Sequence, residues 1–585
     1  MKAIMRTKTA PCIQPLDLDL VHRIGAGEVI DSLAAVVREL VDNALDAGAT
    51  RIGVNLWPQD WRVQVSDNGT GLNPLDLEQA AAPHTTSKLR ACADLSRIQT
   101  LGFRGEALHS LAQVGQLEMR SRPLGADAGW WARYDDRGHL IHMDRVAIAP
   151  GTVVTVDQLF AHWPARQQAL PPVHQQLRAA QAVIHQQALC HPLVTWQVWQ
   201  GDRPWFNIAP AATAQEILPQ ILATLRPGDL QRLSRTLPPP HTQNALELVI
   251  GLPDRCHRSR PDWVRVAVNG RCVQVSGDPA LGSRSPRPLE QTILGAFRHT
   301  LPRHRYPLCF VHLQVDPTQV DWNRHPAKTD IYLQHLELWR QQLAQAIQQA
   351  LQLAGGPSEL SAASKTQQLL KVAESSGTYQ LQSASDLTSE LEHREAVHTP
   401  PAPSGFNQLR AIAQLHQTYI VAEHSTGLWL VEQHIAHERV LYEQLCQDWQ
   451  LISITPPRML RDLSEAQVEK LQEIGLEVDA FGPQVWAVRS APQALASRSD
   501  CEAALLELSQ CADIEAALVA TACRSAIRNG TPLDMAEMQT LLIQWQQTRH
   551  PRTCPHGRPI HLALEESQLA RFFRRHWVIG KSHGI

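Results

Sequence analysis

Several short segments carry residues whose types and spacing could do chemistry. From Ser32 to Ala47 the apolar residues Val36, Val37, Leu40, Val41, Ala44 and Leu45 recur at helical spacing, which puts Glu39 and Asn43 on one face, a turn apart. Alone, such a pair is an ordinary polar face. Asp67–Leu72 reads DNGTGL, where Gly69 and Gly71 permit backbone geometry closed to other residues and let a flat ligand approach the main chain; a plain turn uses the same residues. His84–Lys88 reads HTTSK, and Leu101–Leu108 reads LGFRGEAL and opens an apolar helix-like run. A glycine-rich turn at a helix start offers free N–H groups to a phosphate, or is simply a capped helix. There is no GxxxxGK[ST] motif.

Near the other end, His434 and Glu438 are four apart and can point at one metal, although such a pair is also a common surface hydrogen bond. Cys523 lies in TACRSAIRNG, and Cys554 and His556 lie in CPHGRP, good borderline-soft ligands in a short loop. Phe573, Arg574 and Arg575 follow in an FxR-like tail.

The first four segments, in this order, closely resemble the ATPase domain of the MutL family, within the class of DNA gyrase B, Hsp90 and histidine kinases; the resemblance covers about Ile13 to Ile347. It implies ATP and Mg²⁺ as cofactors. Glu39 would be the general base and Asn43 an oxygen donor to Mg²⁺. Asp67 would accept from the adenine amino group, with Gly69 and Gly71 making room. Thr86, Ser87 and Lys88 would sit beside the nucleotide at the base of a lid, and the backbone of Gly102, Phe103, Arg104, Gly105 and Glu106 would wrap the phosphates. Gly151 and Thr152 match the remaining motif of the class. VNGR (Val268–Arg271) and NRHPAK (Asn323–Lys328) also match, and Lys328 would reach the γ-phosphate. The chain departs from the family at Ser32–Leu33, at HWPARQQAL, and after VNGR, where Cys272–Ser276 replace arginines.

The C-terminal set resembles the endonuclease domain found in many MutL proteins, whose motif is DQHA, two residues, Glu, four residues, Glu. Here it reads Glu432, Gln433, His434, Ile435, then Glu438 and Glu443. Glu432 lengthens the first carboxylate by a methylene and Ile435 enlarges the fourth position. The resemblance implies that His434, Glu438, Cys523, Cys554 and His556 hold Zn²⁺ and/or Mn²⁺, with Glu432 and Glu438 serving strand scission. The other reading is a non-nuclease ATP switch that recruits a separate nuclease, its Cys/His set structural.

The elements that must position these groups are legible in outline. Helix Ser32–Ala47 stops at Gly48, and Arg51–Trp57 and Trp61–Ser66 alternate as a β-hairpin. TVVTV is a strand, AATAQEILPQILATL a helix, and Gly427–Glu432 a strand leading into a helix. A chain of 585 residues is too long for one core. The stretch from about Gly355 to Ser404 is rich in Ser, Gln, Ala and Thr and reads as a linker between two folded bodies. The expected fold is a mixed α+β and α/β multidomain chain. The resemblance implies that residues 1–212 form a Bergerat-type α/β sandwich ATPase, 213–350 a second domain like ribosomal protein S5 domain 2, 351–404 a flexible linker, and 405–585 an α+β dimerisation domain.

The net charge of −3 does not advertise a nucleic-acid binder, yet Gly251–Phe310 holds ten Arg, no Lys and four acids, an excess of six positive charges that fits a phosphate contact or a solvated face. Eleven scattered cysteines argue for reduced thiols rather than a disulfide framework. With no apolar run near the ~20 residues of a bilayer span, no membrane partner is expected. The family resemblance implies a cytoplasmic homodimer, nucleoid-associated during repair, that meets DNA, MutS and the replication sliding clamp. The clamp contact could lie at Gln450–Ile454, where a buried strand is the other reading.

Overall fold

Ser32 starts helix α1 (Leu33–Asp46), its hydroxyl accepting from the Ala35 amide at 3.2 Å. The apolar stripe then turns inward, with Leu33, Val36, Val37, Leu40 and Val41 all buried. The computed structural model describes residues 25–89, 97–239, 243–275, 287–302, 304–322, 330–352 and 409–566, with 91, 94 and 569 besides. The chain divides into two compact units, Met1–Arg298 with Arg305–Ile347, and His299–His304 with Gln348–Ile585.

In the first unit, β1 (Arg51–Trp57) and β2 (Arg62–Asp67) pair as the expected hairpin. They join β3 (Gln116–Arg122), β4 (Gly129–Tyr134), β5 (Leu140–Val146), β6 (Gly151–Asp157), β7 (Thr195–Gln200) and β8 (Arg203–Ile208) in an eight-stranded sheet of order β5-β4-β3-β6-β2-β1-β7-β8. Only the β1–β7 pairing in it is parallel. Helices α1, α2 (Ala107–Val114) and α3 (Val173–Cys190) share one apolar core with residues of this sheet, including Ile52, Val54, Val63 and Trp196. Each such buried side chain contributes roughly 1.5–3 kcal/mol.

A second sheet in this unit comprises β9 (Leu230–Thr236), β10 (Ala245–Gly251), β11 (Val264–Val268), β12 (Arg271–Cys272) and β14 (Cys309–Gln314), in the order β12-β11-β14-β10-β9. Short strands β13 (Gln274–Val275), β15 (Val320–Asp321) and β16 (Asp330–Leu333) form a third. Strands β11 and β12 are joined by Asn269 (φ 46°) and Gly270 (φ 85°), a two-residue turn with both φ values positive, which the Asn-Gly pair favours. Helices α4 (Ala214–Ile221), α5 (Pro288–Ala296) and α6 (Leu336–Leu351) complete the unit. Helix α4 is shorter than the expected run, starting after its N-cap Thr213 and ending two residues past Pro219.

Besides a small cluster of Tyr442, Leu518 and Ala522, the second unit has two larger cores. One lies on the sheet β17-β18-β19-β23, made of β17 (Arg410–Leu415), β18 (Tyr419–His424), β19 (Gly427–Glu432) and β23 (His561–Glu565). Helix α7 (Gln433–Gln447) follows β19 directly, as its periodicity predicts. The other core lies on β20 (Leu451–Arg461), β22 (Val485–Pro492) and β21 (Val478–Gly482), with α8 (Glu465–Glu473) and α9 (Cys501–Leu508). Helices α10 (Ile514–Ser525) and α11 (Met535–Gln546) pack on α7. Gln450–Ile454 runs into β20, where Ile454 is buried and Ile452 exposed. The expected linker, the Lys328 segment and the Phe573–Arg575 tail lie outside the described residues. No described helix is long and apolar enough to cross a membrane.

Candidate functional site

Glu39 is only 5% exposed, and its buried Oε1 makes no hydrogen bond, lying 3.5 Å from Arg38 Nε. A buried carboxylate oxygen without a hydrogen-bond donor is costly, and positions that keep one tend to be functional. One turn on, Asn43 Oδ1 accepts from Lys88 Nζ at 3.1 Å, and the same ammonium pairs with Asp46 at 2.5 Å. Asp46 also receives the amides of Leu101 (2.8 Å) and Gly102 (2.9 Å), tying the head of the GFRGEAL loop to α1. A Cβ on Gly102 would lie 3.0 Å from Lys88 Nζ and 3.4 Å from Asn43 Oδ1, so the loop, the lysine and the amide share one corner.

Gly105 sits at φ 65°, where an added Cβ would lie 2.4 Å from the Thr85 carbonyl oxygen. The HTTSK segment therefore backs the glycine loop directly; within it the Thr86 hydroxyl accepts from the Lys88 amide at 3.1 Å, and Ser87 is exposed. Phe103 is buried beneath the Arg104 guanidinium, which lies 5.8 Å from its ring centre, and Glu106 caps α2 without a side-chain bond. At the end of β2, Asp67 Oδ1 accepts from the Gly69 amide at 2.8 Å. Burial raises the Asp67 carboxyl to about 6, against hydrogen bonds from the Gly69 and Thr152 amides. Gly69 has no room for a Cβ beside Ala47, and neither does Gly71 (φ 70°) beside Arg122. Thr152 pairs with Asp67 across the sheet and shares a 2.9 Å hydroxyl contact with Ser121.

In the second unit, Glu438, Cys554 and His556 offer ligand atoms all within 4.8 Å of one another, the one such group of metal-ligating side chains among the described residues. Glu438 is fully buried; its Oε1 lies 2.7 Å from His556 Nδ1 and its Oε2 accepts from Arg558 at 3.2 Å. Cys554 Sγ is 4.0 Å from His556 Nδ1. The Cys554 and Glu438 contacts push the His556 imidazole up to about 9. Burial raises the Glu438 and Cys554 acids, but His556 and Arg558 outweigh it and hold both below their ordinary values. His434 and Cys523 do not join this group. His434 Nδ1 is 2.8 Å from the Ile527 carbonyl, and burial with the Glu438 charge pushes the Cys523 thiol up. Glu432 caps α7 through the Ile435 amide (2.5 Å) and takes the Asn529 amide at 2.6 Å. Glu443 accepts from the amides of Arg549 (2.6 Å) and His550 (3.1 Å).

Family models match three parts of the chain. The histidine kinase-, DNA gyrase B- and HSP90-like ATPase matches residues 31–123, the DNA mismatch repair protein C-terminal domain 234–352, and the MutL C-terminal dimerisation domain 412–533. The chain is 56% identical over 591 residues to the DNA mismatch repair protein MutL of Nostoc punctiforme, covering 98% of this chain and 100% of that one. To the MutL of Nostoc sp. PCC 7120 it is 57% identical, again over 98% and 100% of the two chains. The chain belongs to the MutL family of DNA mismatch repair proteins.

As a MutL protein it works in DNA mismatch repair, with an ATP-binding ATPase domain and a C-terminal dimerisation domain. The ATPase domain of Aquifex aeolicus MutL complexed with ADP is 22% identical to it, at a TM-score of 0.37, over 54% of this chain and 98% of that one. Around the MutL motifs, sequence reasoning missed Asp42, Asp46 and Arg558. Asp46 ends the DNALDAG run beside the motif pair, but only the folded loop shows that its carboxylate gathers two amides and Lys88.

Proposed function

We propose that this MutL chain hydrolyses ATP in the pocket framed by Glu39, Asn43, Asp67 and the 102–106 loop, and that turnover gates nicking of DNA at the Glu438–Cys554–His556 centre. The observation that carries the first part is the buried Oε1 of Glu39, which accepts no hydrogen bond and lies 3.5 Å from the Arg38 guanidinium, one turn before the Asn43 that adjoins the glycine-rich loop. Glu39 takes the proton of the attacking water. Asp67 accepts from the adenine amino group, the 102–106 amides hold the phosphates, and Thr86, Ser87, Lys88 and Thr152 flank the nucleotide. Asn43 fits Mg²⁺, because its oxygen already accepts a cation, the Lys88 ammonium. Lys328 neutralises the γ-phosphate from the second domain. The division at residues 212, 350 and 404 is part of this proposal.

For nicking, the support is the three-ligand group itself. The Cys/His/Glu donor set suits Zn²⁺, and Mn²⁺ suits the carboxylate. When bound, such an ion supplies Lewis acidity for water and phosphate. Glu438 and Cys554 would hold it as anions, and Arg558 steadies the Glu438 carboxylate. A second reading is favoured by Glu432, whose two oxygens are both engaged by Ile435 and Asn529: an ATP switch that relays mismatch recognition to a separate nuclease. In either case MutS and the sliding clamp are the proposed partners. A supercoiled-plasmid assay with Mn²⁺ separates the two. Nicking by the parent that is lost in Glu438→Gln and Cys554→Ala supports the nuclease; equal behaviour of all three proteins assigns the switch.

A further inference from the structure

We infer that Arg271 is a positioning residue for ATP turnover, clamping the Leu101 peptide at the head of the phosphate loop to the helix that carries Glu39 and Asn43. The inference rests on the reading of that pocket as the ATP site. Arg271 is delivered by the Asn269-Gly270 turn, which is gripped from two sides: the Gly270 carbonyl lies 2.9 Å from His191 Nε2, and the Gly270 amide donates to His312 Nε2 at 2.9 Å. The side chain then runs inward until only 4% is exposed. Its Nη2 pairs with Asp42, itself 1% exposed, and donates to the Leu101 carbonyl at 2.8 Å. The other Asp42 oxygen is taken by Gln187 of α3 at 2.7 Å.

The Leu101 peptide is thus held at both ends. Its N–H goes to Asp46 and its C=O to Arg271, which is anchored in turn on Asp42. Asp42 and Asp46 lie one turn apart on α1, flanking Asn43. Leu101 immediately precedes Gly102, so this clamp sets where the loop amides stand relative to Glu39. Both contacts are made by Nη2, at the far end of the longest cationic side chain. A lysine at 271 is one bond shorter, so its ammonium can neutralise Asp42 but falls short of bridging it to the Leu101 carbonyl. The guanidinium belongs to the second sheet, so the attitude of that sheet is felt at the loop without any contact to nucleotide. Trp322, just before the segment containing Lys328, lines the same small cavity as Arg271, Leu101 and Phe103.

The test compares full-length parent, Arg271→Lys, the charge-free pair Asp42→Leu with Arg271→Met, and Glu39→Ala, by fluorescent-ADP binding, steady-state hydrolysis and melting temperature. Asp67 accepts from the Gly69 and Thr152 amides, neither of them part of the clamp, so Arg271→Lys should stay folded and keep its ADP affinity and its KM while kcat falls on the order of 100-fold, the scale of a displaced reacting geometry. The charge-free pair should lose kcat similarly, since the Leu101 carbonyl has lost its donor without a buried charge being stranded. Near-parental kcat in either folded protein overturns the inference and leaves the pair a structural tie. Glu39→Ala keeps the two readings apart: dead Glu39→Ala with normal Arg271→Lys removes only the clamp, whereas parental turnover in Glu39→Ala removes the site on which the clamp was argued.

Discussion

Asp67 offers a readout at the level of one proton. Its carboxyl is raised from the ordinary 3.8 to about 6 by burial, so the folded chain holds the proton over a range where the unfolded chain has lost it. The sign follows: stability from this group is greatest below about pH 4, falls as pH rises, and is gone above about pH 6. Ionised Asp67 is the stronger acceptor for an amino group. ADP affinity should therefore tighten through pH 6 in the parent and not in Asp67→Asn, measured by titration from acid to neutral pH; identical profiles would remove Asp67 as the adenine contact. Gly105 makes a steric counterpart. Gly105→Ala forces a Cβ to within 2.4 Å of the Thr85 oxygen at positive φ, so it should cost more than about 1 kcal/mol and weaken ADP binding. A variant with parental melting and affinity would contradict the packing described. The residue types at positions 39, 43, 67 and 102–106 were readable because they cluster in short motifs. Asp42 was not, since its meaning comes from an arginine 229 positions away.

At the scale of elements, helix α7 both bears Glu438 and moors the segment that brings Cys554 and His556 to it. Arg439, fully buried, donates to the Thr553 carbonyl at 2.7 Å, and Glu443 takes two amides at 549 and 550. Glu443→Ala should lower stability by about 1–3 kcal/mol through the loss of two hydrogen bonds to a charged group. If the metal reading holds, it should also surrender zinc to a chelator sooner than the parent, although Glu443 is no ligand in the group. Unchanged zinc retention would confine Glu443 to folding. Elements were legible where periodicity is strong: α1, the β1–β2 hairpin, and the passage from β19 into α7 follow their patterns closely. The metal-ligating group was less so. Five side chains carried the right chemistry, and burial and backbone pairing decided that three converge while His434 turns to the Ile527 carbonyl.

For the molecule as a whole, DNA binding should show its electrostatic origin. Within the arginine-rich stretch Arg255, Arg258 and Arg287 lie 3.4, 3.8 and 3.5 Å from Asp254, Asp262 and Glu290, and Arg271 is buried against Asp42, while Arg260 and Arg305 are exposed. Affinity should fall with salt at a slope of about −0.9 per phosphate neutralised, and Arg260→Glu with Arg305→Glu should lower both affinity and slope. A salt-independent constant would exclude this face. One feature of the eight-stranded sheet also governs how the protein can be cut. The parallel partner of β1 arrives only at Thr195–Gln200, after α3 has crossed over. A fragment ending at residue 123, where the ATPase family match stops, would lack β6 as well and expose bare strand edges beside unfilled hydrophobic space where Trp196 belongs. Open edges of that kind recruit other chains, so a piece that keeps this sheet whole must run at least to Ile208, and one that also keeps the Leu101 contact must run on to Arg271.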